Sequence, residues 1–252
     1  MAKIAPVPFN TPAGNNISVQ PTDPTTNGSP VTLTFPTVTE GGDTTLATSN
    51  SGPPPAQGFQ LGSPPTYYNL TTTAVYTGPI TICINYSGVS FNDPNELAIW
   101  HYDTTAGSWA ELATTINTAT TTACATTPSL SPFAVLEPAY AAQVQPPINA
   151  NGSSAFKASR GVVPVKFTLT YGGVATCQLP PARISLIRTA GAVLGSVDGS
   201  VYLLASDSGS NFRSDGCQYV YNLATSSLGT GKYMVNISIG GHVVGSGIFG
   251  LQ

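Results

Sequence analysis

Short runs of alternating apolar and polar residues, each closed by Gly, Pro, Asn or Ser, recur along almost the whole chain. In Ile80–Asn85 the alternation is complete. Ile80, Ile82 and Ile84 take one face and Thr81, Cys83 and Asn85 the other, the period of a strand buried on one side only. The same pattern predicts strands near Ile17–Gln20, Val31–Phe35, Thr44–Thr48, Tyr67–Thr73, Leu97–Tyr102, Trp109–Leu112, Thr121–Thr126 and Phe133–Leu136. It predicts further strands near Val162–Tyr171, Arg183–Arg188, Val201–Ala205, Gln218–Leu223, Lys232–Ile239 and His242–Leu251. No window carries a 3.6-residue period, so little helix is expected. Ser51–Pro55 and Ser63–Pro65 bracket a loop, because proline supplies no N–H to a ladder. Gly240-Gly241 suits a two-residue hairpin turn, whose simplest register sets Ile239 opposite His242, Ile237 opposite Val244 and Tyr233 opposite Ile248. The fold class expected is all-β, as two tandem antiparallel β-sandwich (Ig-like) domains.

Charge divides the chain. No Lys or Arg lies between Ile4 and Phe156, whereas the last 96 residues hold seven. Asp23, Glu40, Asp43, Asp93, Glu96, Asp103, Glu111 and Glu137 leave the first part strongly acidic, while the second is net basic. A segment without cations cannot neutralise phosphates, which excludes nucleic acid and anionic membrane as its partners. No run approaches the ~20 apolar residues of a membrane-spanning helix, so no membrane insertion is expected. The composition shifts mark an N-terminal Pro-rich arm (1–15), an acidic β-sandwich (16–137), an Ala/Gln/Pro-rich linker (138–150) and a basic β-sandwich (151–252). The first residues lack the apolar core of a signal peptide, which reads as a mature fragment with Met1 added.

Four cysteines fall two to each part, Cys83 with Cys124 and Cys177 with Cys217, and neither pair has the Cys-x-x-Cys spacing of a zinc or redox site. Disulfides within each part are the leading reading, and they place the protein in an oxidising compartment. Free buried thiols are the alternative. Cys83 falls on the face opposite the isoleucines, so its disulfide is expected to lie off the main core face.

The run Pro164-Val165-Lys166-Phe167, the later Tyr219-Val220-Tyr221-Asn222-Leu223 and the ending Gly231-Lys232-Tyr233 through Phe249-Gly250-Leu251 resemble the PxKF domain of bacterial secreted proteins. The acidic part, with SGPPPAQGFQLG, LAIWHYD and SLSPFAVL, resembles the β module that often precedes it, and more distantly the β-sandwich of ankyrins and netrin receptors. The resemblance implies an Ig-type module at the end of a large extracellular or cell-surface protein. Some distant members cleave themselves at a His-Phe-Ser type site. His101 is followed by Tyr and His242 by Val, so cleavage is not implied.

Chemistry-bearing residues are few. His101 and His242 are the only bases available to a serine-type hydrolase, and both read as structural. No cofactor is expected, with one metal candidate: calcium held by Asp93, Asn95, Glu96 and Asp103, whose hard oxygens equally suit plain turns. Tyr67, Tyr68, Trp100, Tyr102 and Trp109 are candidates for stacking against a glycan, and a sheet covered on both sides is the rival reading. Lys166 and Asn236 are the one pair considered for an intramolecular isopeptide bond, although alternation points both away from the core. The function expected is a non-enzymatic extracellular structural or adhesive module. Its partners would be other extracellular domains or copies of itself, joined by strand addition through the N-terminal arm. The alternative is a carbohydrate-binding module serving a secreted enzyme.

Overall fold

A computed structural model describes residues 8–189, 191, 193, 197–198 and 204–252. The chain separates into two units, Met1–Glu137 and Pro138–Gln252. Both are built almost wholly from strands, and the one helical piece among the described residues is the 3-10 turn Ala158–Arg160.

The first unit runs β1 (Gly14–Val19), β2 (Val31–Glu40), β3 (Thr44–Ser49), β4 (Phe59–Leu61), β5 (Tyr67–Thr72), β6 (Val75–Thr77), β7 (Ile80–Asn85), β8 (Ala98–Asp103), β9 (Ser108–Glu111), β10 (Thr115–Asn117), β11 (Thr122–Thr127) and β12 (Pro132–Pro138). One sheet has the order β1-β2-β7-β11-β10 with β6 also on β2, and the other β3-β5-β12-β8-β9 with β4 also on β12. Leu33, Phe35, Ile80, Ile82 and Ile84 from the first sheet meet Leu46, Leu70, Ile99 and Phe133 from the second in one core, all of them at most 1% exposed. Each such side chain contributes about 1.5–3 kcal/mol by leaving water. Pro36 stands inside β2 because it falls where β2 changes partner, from β7 at Val31–Thr34 to β6 at Thr37–Glu40, so no ladder bond misses its N–H. Gly78 lies against that ring at φ 85°, where an added Cβ would come within 2.9 Å of Pro36 Cγ.

Half of the expected arm is part of this sandwich. Thr11 bridges Gly42, Asn10 bonds Thr44, and Asn15 and Ile17 are already in register with Thr37 and Phe35.

The second unit runs β13 (Tyr140–Gln145), β14 (Ser154–Phe156), β15 (Val162–Tyr171), β16 (Val174–Thr176), β17 (Ala182–Thr189), β18 (Val197–Asp198), β19 (Arg213–Asp215), β20 (Gln218–Ala224), β21 (Gly231–Ile239) and β22 (His242–Leu251). Its sheets have the orders β13-β15-β20-β19, with β16 also on β15, and β17-β21-β22-β14-β18. Val163, Val165, Phe167 and Tyr219 face Val235, Ile237, Phe249 and Leu251 across the core.

Four expectations are corrected here. The linker 138–150 is not a linker: β13 pairs with β15 from Tyr140↔Tyr171 to Gln145↔Lys166, and its Val144 is buried in the second core. Composition misled because Ala and Gln make a serviceable edge strand when Val144 supplies the anchor. The arrangement is not antiparallel throughout, since β14 runs parallel to both β22 and β18. The hairpin register holds at Ile239↔His242 but then shifts, so that Ile237 faces Gly245 and Tyr233 faces Phe249. A bulge at Val244 absorbs one residue, and its effect is to turn Phe249 and Leu251 inward, both fully buried. The expected strand Val201–Ala205 lies partly outside the described residues, and Leu204 and Ala205 are not in a strand.

Candidate functional site

Five aromatic candidates converge on the second sheet of the first unit without forming one exposed platform. Alternation along β8 sends Ile99 into the core and Trp100 to the outer face, yet Trp100 is only 8% exposed. The Pro-rich segment after β3 folds over that face. Phe59 packs on Trp100 at 4.6 Å between ring centres, while Ala56 and Leu61 pack against Tyr67, Ala134 and Leu136. Tyr68 points the other way, into the main core. Tyr67, Tyr68 and Trp100 therefore leave the list of stacking surfaces, and the covered-sheet reading holds for them.

What remains is an open cleft of about 420 Å³, walled by Pro53–Gln57 on one side and by Tyr102 and Gly107–Trp109 on the other. Its prolines are fixed by two hydrogen bonds of 2.8 Å. Tyr67 Oη–H donates to Pro53 O and Trp109 Nε1–H to Pro54 O. Gly52 allows the approach, since a Cβ there would meet the Tyr67 ring at 2.8 Å. Trp109 stacks on Tyr67 at 6.2 Å and meets Tyr102 edge-on at 5.1 Å, so both half-buried rings are held in fixed orientation. Burial raises the Tyr67 hydroxyl pKa, keeping it a donor. The proline run reads in sequence only as a loop, and nothing in its spacing marks its carbonyls as partners of Tyr67 and Trp109.

The calcium candidates do not come together. Asp93 Oδ1 accepts from Asn95 N at 3.1 Å, and Asp103 Oδ1 accepts from Thr105 N and Ala106 N at 2.8 and 3.0 Å, so each carboxylate closes its own turn. Those two N–H bonds lower the Asp103 pKa. No group of three acids, histidines or cysteines with metal-site geometry occurs among the described residues. Glu96 belongs to the same turn region as Asp93, its N–H donating to Asp93 O at 3.1 Å. The carboxylate that organises this loop is instead Glu137, 2% exposed, which accepts from Asn92 N, Asn92 Nδ2, Asp93 N and Gln60 Nε2 at 2.7–3.1 Å. Asp23 is equally buried, and hydrogen bonds from Thr48 and Thr25 hold its carboxyl well below the usual range.

Lys166 and Asn236 cannot be joined. Lys166 alternates with buried Val165 and Phe167 on β15, Asn236 with buried Val235 and Ile237 on β21, and these strands lie in opposite sheets of one core. Their side chains leave that core in opposite directions.

His101 is braced rather than poised. Ser131 Oγ lies 2.5 Å from its Nε2 and 2.7 Å from Tyr102 O. The single hydroxyl hydrogen goes to the carbonyl, so Nε2–H donates to Oγ, the reverse of the wiring in a serine hydrolase. Burial lowers the His101 pKa, with Asp103 opposing weakly. His242 opens β22 beside the Gly240-Gly241 turn, opposite Ile239.

Both disulfides form inside their own units, Cys83 with Cys124 and Cys177 with Cys217. Cys83 sits directly opposite Cys124 on β7 and β11, Cα atoms 4.1 Å apart, on the outer face of the first sheet. Cys177 and Cys217 join the end of β16 to the start of β20, which follow one another along the same side of β15.

No family model matches the chain, and no curated protein matches it.

Proposed function

We propose that this chain is a non-enzymatic extracellular adhesive and structural module that holds neutral glycan in the Tyr102–Trp109 cleft. The observation that carries the reading is the pair of partly exposed rings fixed across from a hydrogen-bonded proline wall, in a unit with no Lys or Arg from 8 to 137. Flat rings held in place bind a sugar face with little ordering cost, and a cation-free surface suits an uncharged polysaccharide. Two disulfides support an oxidising, extracellular setting. The resemblance of 151–252 to the PxKF domain supports a bacterial surface or secreted origin. Self-assembly, the other contact open to such a module, would require β1 to leave its own β2 and enter the same place in a second copy, since β1 already pairs in cis. Light scattering of the full chain reads that exchange directly.

The test is retention on insoluble cellulose, chitin and xylan. Retention by the wild type and its loss in Tyr102→Ala, with a cooperative melting transition preserved, supports the reading. Tyr102 Oη has no hydrogen-bond partner among the described residues and its half-buried ring touches Trp109, so the substitution lowers stability modestly without unfolding the sandwich. Equal recovery of wild type and variant on all three supports overturns it.

A further inference from the structure

We infer that a second cleft, at one end of the first sandwich, binds a neutral hydroxyl-rich ligand, a single sugar residue being the unit that fits. The cleft measures about 480 Å³, within the roughly 300–1,000 Å³ of small-molecule sites. It opens between the two sheets, with Thr48 and Tyr68 on one side and Gln20, Asn85, Ser87 and Gly88 on the other. It shares no residue with the Tyr102–Trp109 cleft and does not rest on the function proposed there.

Its polar groups divide into those that hold the walls and those left over. Thr48 is tied to Asp23 through its N–H and its hydroxyl, Gln20 Nε2 donates to Ser29 O at 2.7 Å, and Asn85 Oδ1 accepts from Ser87 N at 3.0 Å. Left over are the Tyr68 hydroxyl, the Asn85 Nδ2 amide hydrogens and the Ser87 hydroxyl, none with a partner among the described residues. Tyr68 carries the argument. The residue is only 3% exposed with its ring locked in the core, yet its unpartnered hydroxyl is not sealed off, because the cleft reaches it. A core tyrosine whose hydroxyl opens into a cleft offers that oxygen to a ligand entering it, whereas the hydroxyl of Tyr86 in the same core is sealed off. Burial pushes its pKa up to about 12, so at neutral pH it is a fixed donor and acceptor.

Charge selects the ligand. No cation lies anywhere from residue 8 to 137, so an anion finds no counter-charge. The one carboxylate behind the wall, Asp23, already accepts from Thr25 N, Thr48 N and the Thr48 hydroxyl, so a cation finds none either. Two hydroxyls and an amide around a neutral hollow, with Tyr68 held by the core and Asn85 by its bond to Ser87 N, match vicinal sugar hydroxyls, which donate and accept in turn.

The full chain, labelled with nitrogen-15, is titrated separately with glucose, galactose, mannose and N-acetylglucosamine while backbone amide shifts are followed. The expected result is that at least one sugar moves the Ser87 and Gly88 amides with a millimolar Kd, and that Tyr68→Phe and Ser87→Ala each weaken binding about 3- to 10-fold, the effect of one neutral hydrogen bond. Tyr68→Phe leaves the melting temperature unchanged, because the hydroxyl bonds nothing among the described residues, and Ser87 is exposed, so both variants fold. Tyr102→Ala leaves these shifts intact, which separates the two clefts. The inference is overturned if no sugar moves these amides up to about 50 mM, if both variants bind as the wild type does, or if Tyr102→Ala alone abolishes the shifts.

Discussion

Glu137 is the most heavily bonded carboxylate of the first unit, and it does without a cation. Four N–H donors surround it, two of them from the backbone of the Asn92-Asp93 turn, and charge-assisted bonds of that kind stabilise more than neutral ones. Glu137→Gln puts an NH2 group against donors and should cost about 2–3 kcal/mol in urea unfolding of residues 8–137; a loss below a few tenths would mean the turn is held otherwise. His101 gives a pH signature. Its folded pKa is lowered, so the unfolded chain binds a proton first as pH falls. Its contribution is complete above about 6.5, the unfolded value, and is lost progressively on acidification below it. His101→Asn should flatten the decline in stability between about pH 7 and 5 relative to wild type. The role of Glu137 was not legible in the sequence, where a lone acid before Pro138 carries no mark. Its four donors come from positions 44 to 77 residues away. By contrast, the outward placement of Cys83 followed directly from the alternation in Ile80–Asn85, since a face that already holds three isoleucines is the buried one.

At the scale of elements, the sequence was most readable where one face alternates strictly. The bounds of β15 agree with the expected range for that reason. It was least readable where strands are three residues long, as in β4, β6, β10, β14 and β16, because so short a run shows no period. The bulge in β22 belongs to neither group: Gly245 and Gly247 obscure which parity the strand takes after Val244. Deleting Val244 removes the bulge but leaves Ile237 opposite Gly245 and Tyr233 opposite Phe249, so Phe249 and Leu251 stay inward and only the buried Val244 side chain is lost. The second unit should then keep a cooperative transition but lose about 1.5–3 kcal/mol, the burial of one valine, whereas Ser246→Ala, on the exposed side, should be neutral. The disulfide on β7 and β11 closes 41 residues of chain, for which loop entropy gives about 4 kcal/mol. Cys83→Ala/Cys124→Ala should lower stability by that order while leaving the far-ultraviolet spectrum unchanged, since the ladder from Ile80↔Thr127 to Asn85↔Thr122 does not depend on the sulfurs.

For the molecule as a whole, the division between Glu137 and Pro138 has a practical meaning, because each unit keeps its own core and its own disulfide. Residues 138–252 should fold alone, with a sharp thermal transition. A fragment starting at Asn151, where the composition changes, should not, since it lacks β13 and leaves the β15 edge and the sites of Val144 and Ile148 uncovered. If the shorter piece melts as sharply as the longer one, β13 is dispensable. Compositional boundaries follow solvent exposure and charge, while folding boundaries follow the pairing of strands, and at this junction the two differ by about a dozen residues. The absence of Lys and Arg from 8 to 137 carries a further consequence for the first unit. Its buried acids are satisfied by amide and hydroxyl hydrogens at contact distance, beyond the reach of mobile ions, while its remaining carboxylates repel one another across the surface. Adding sodium chloride therefore has repulsion to relieve and no attraction to weaken, so this half of the molecule is one that brine leaves unharmed or makes firmer.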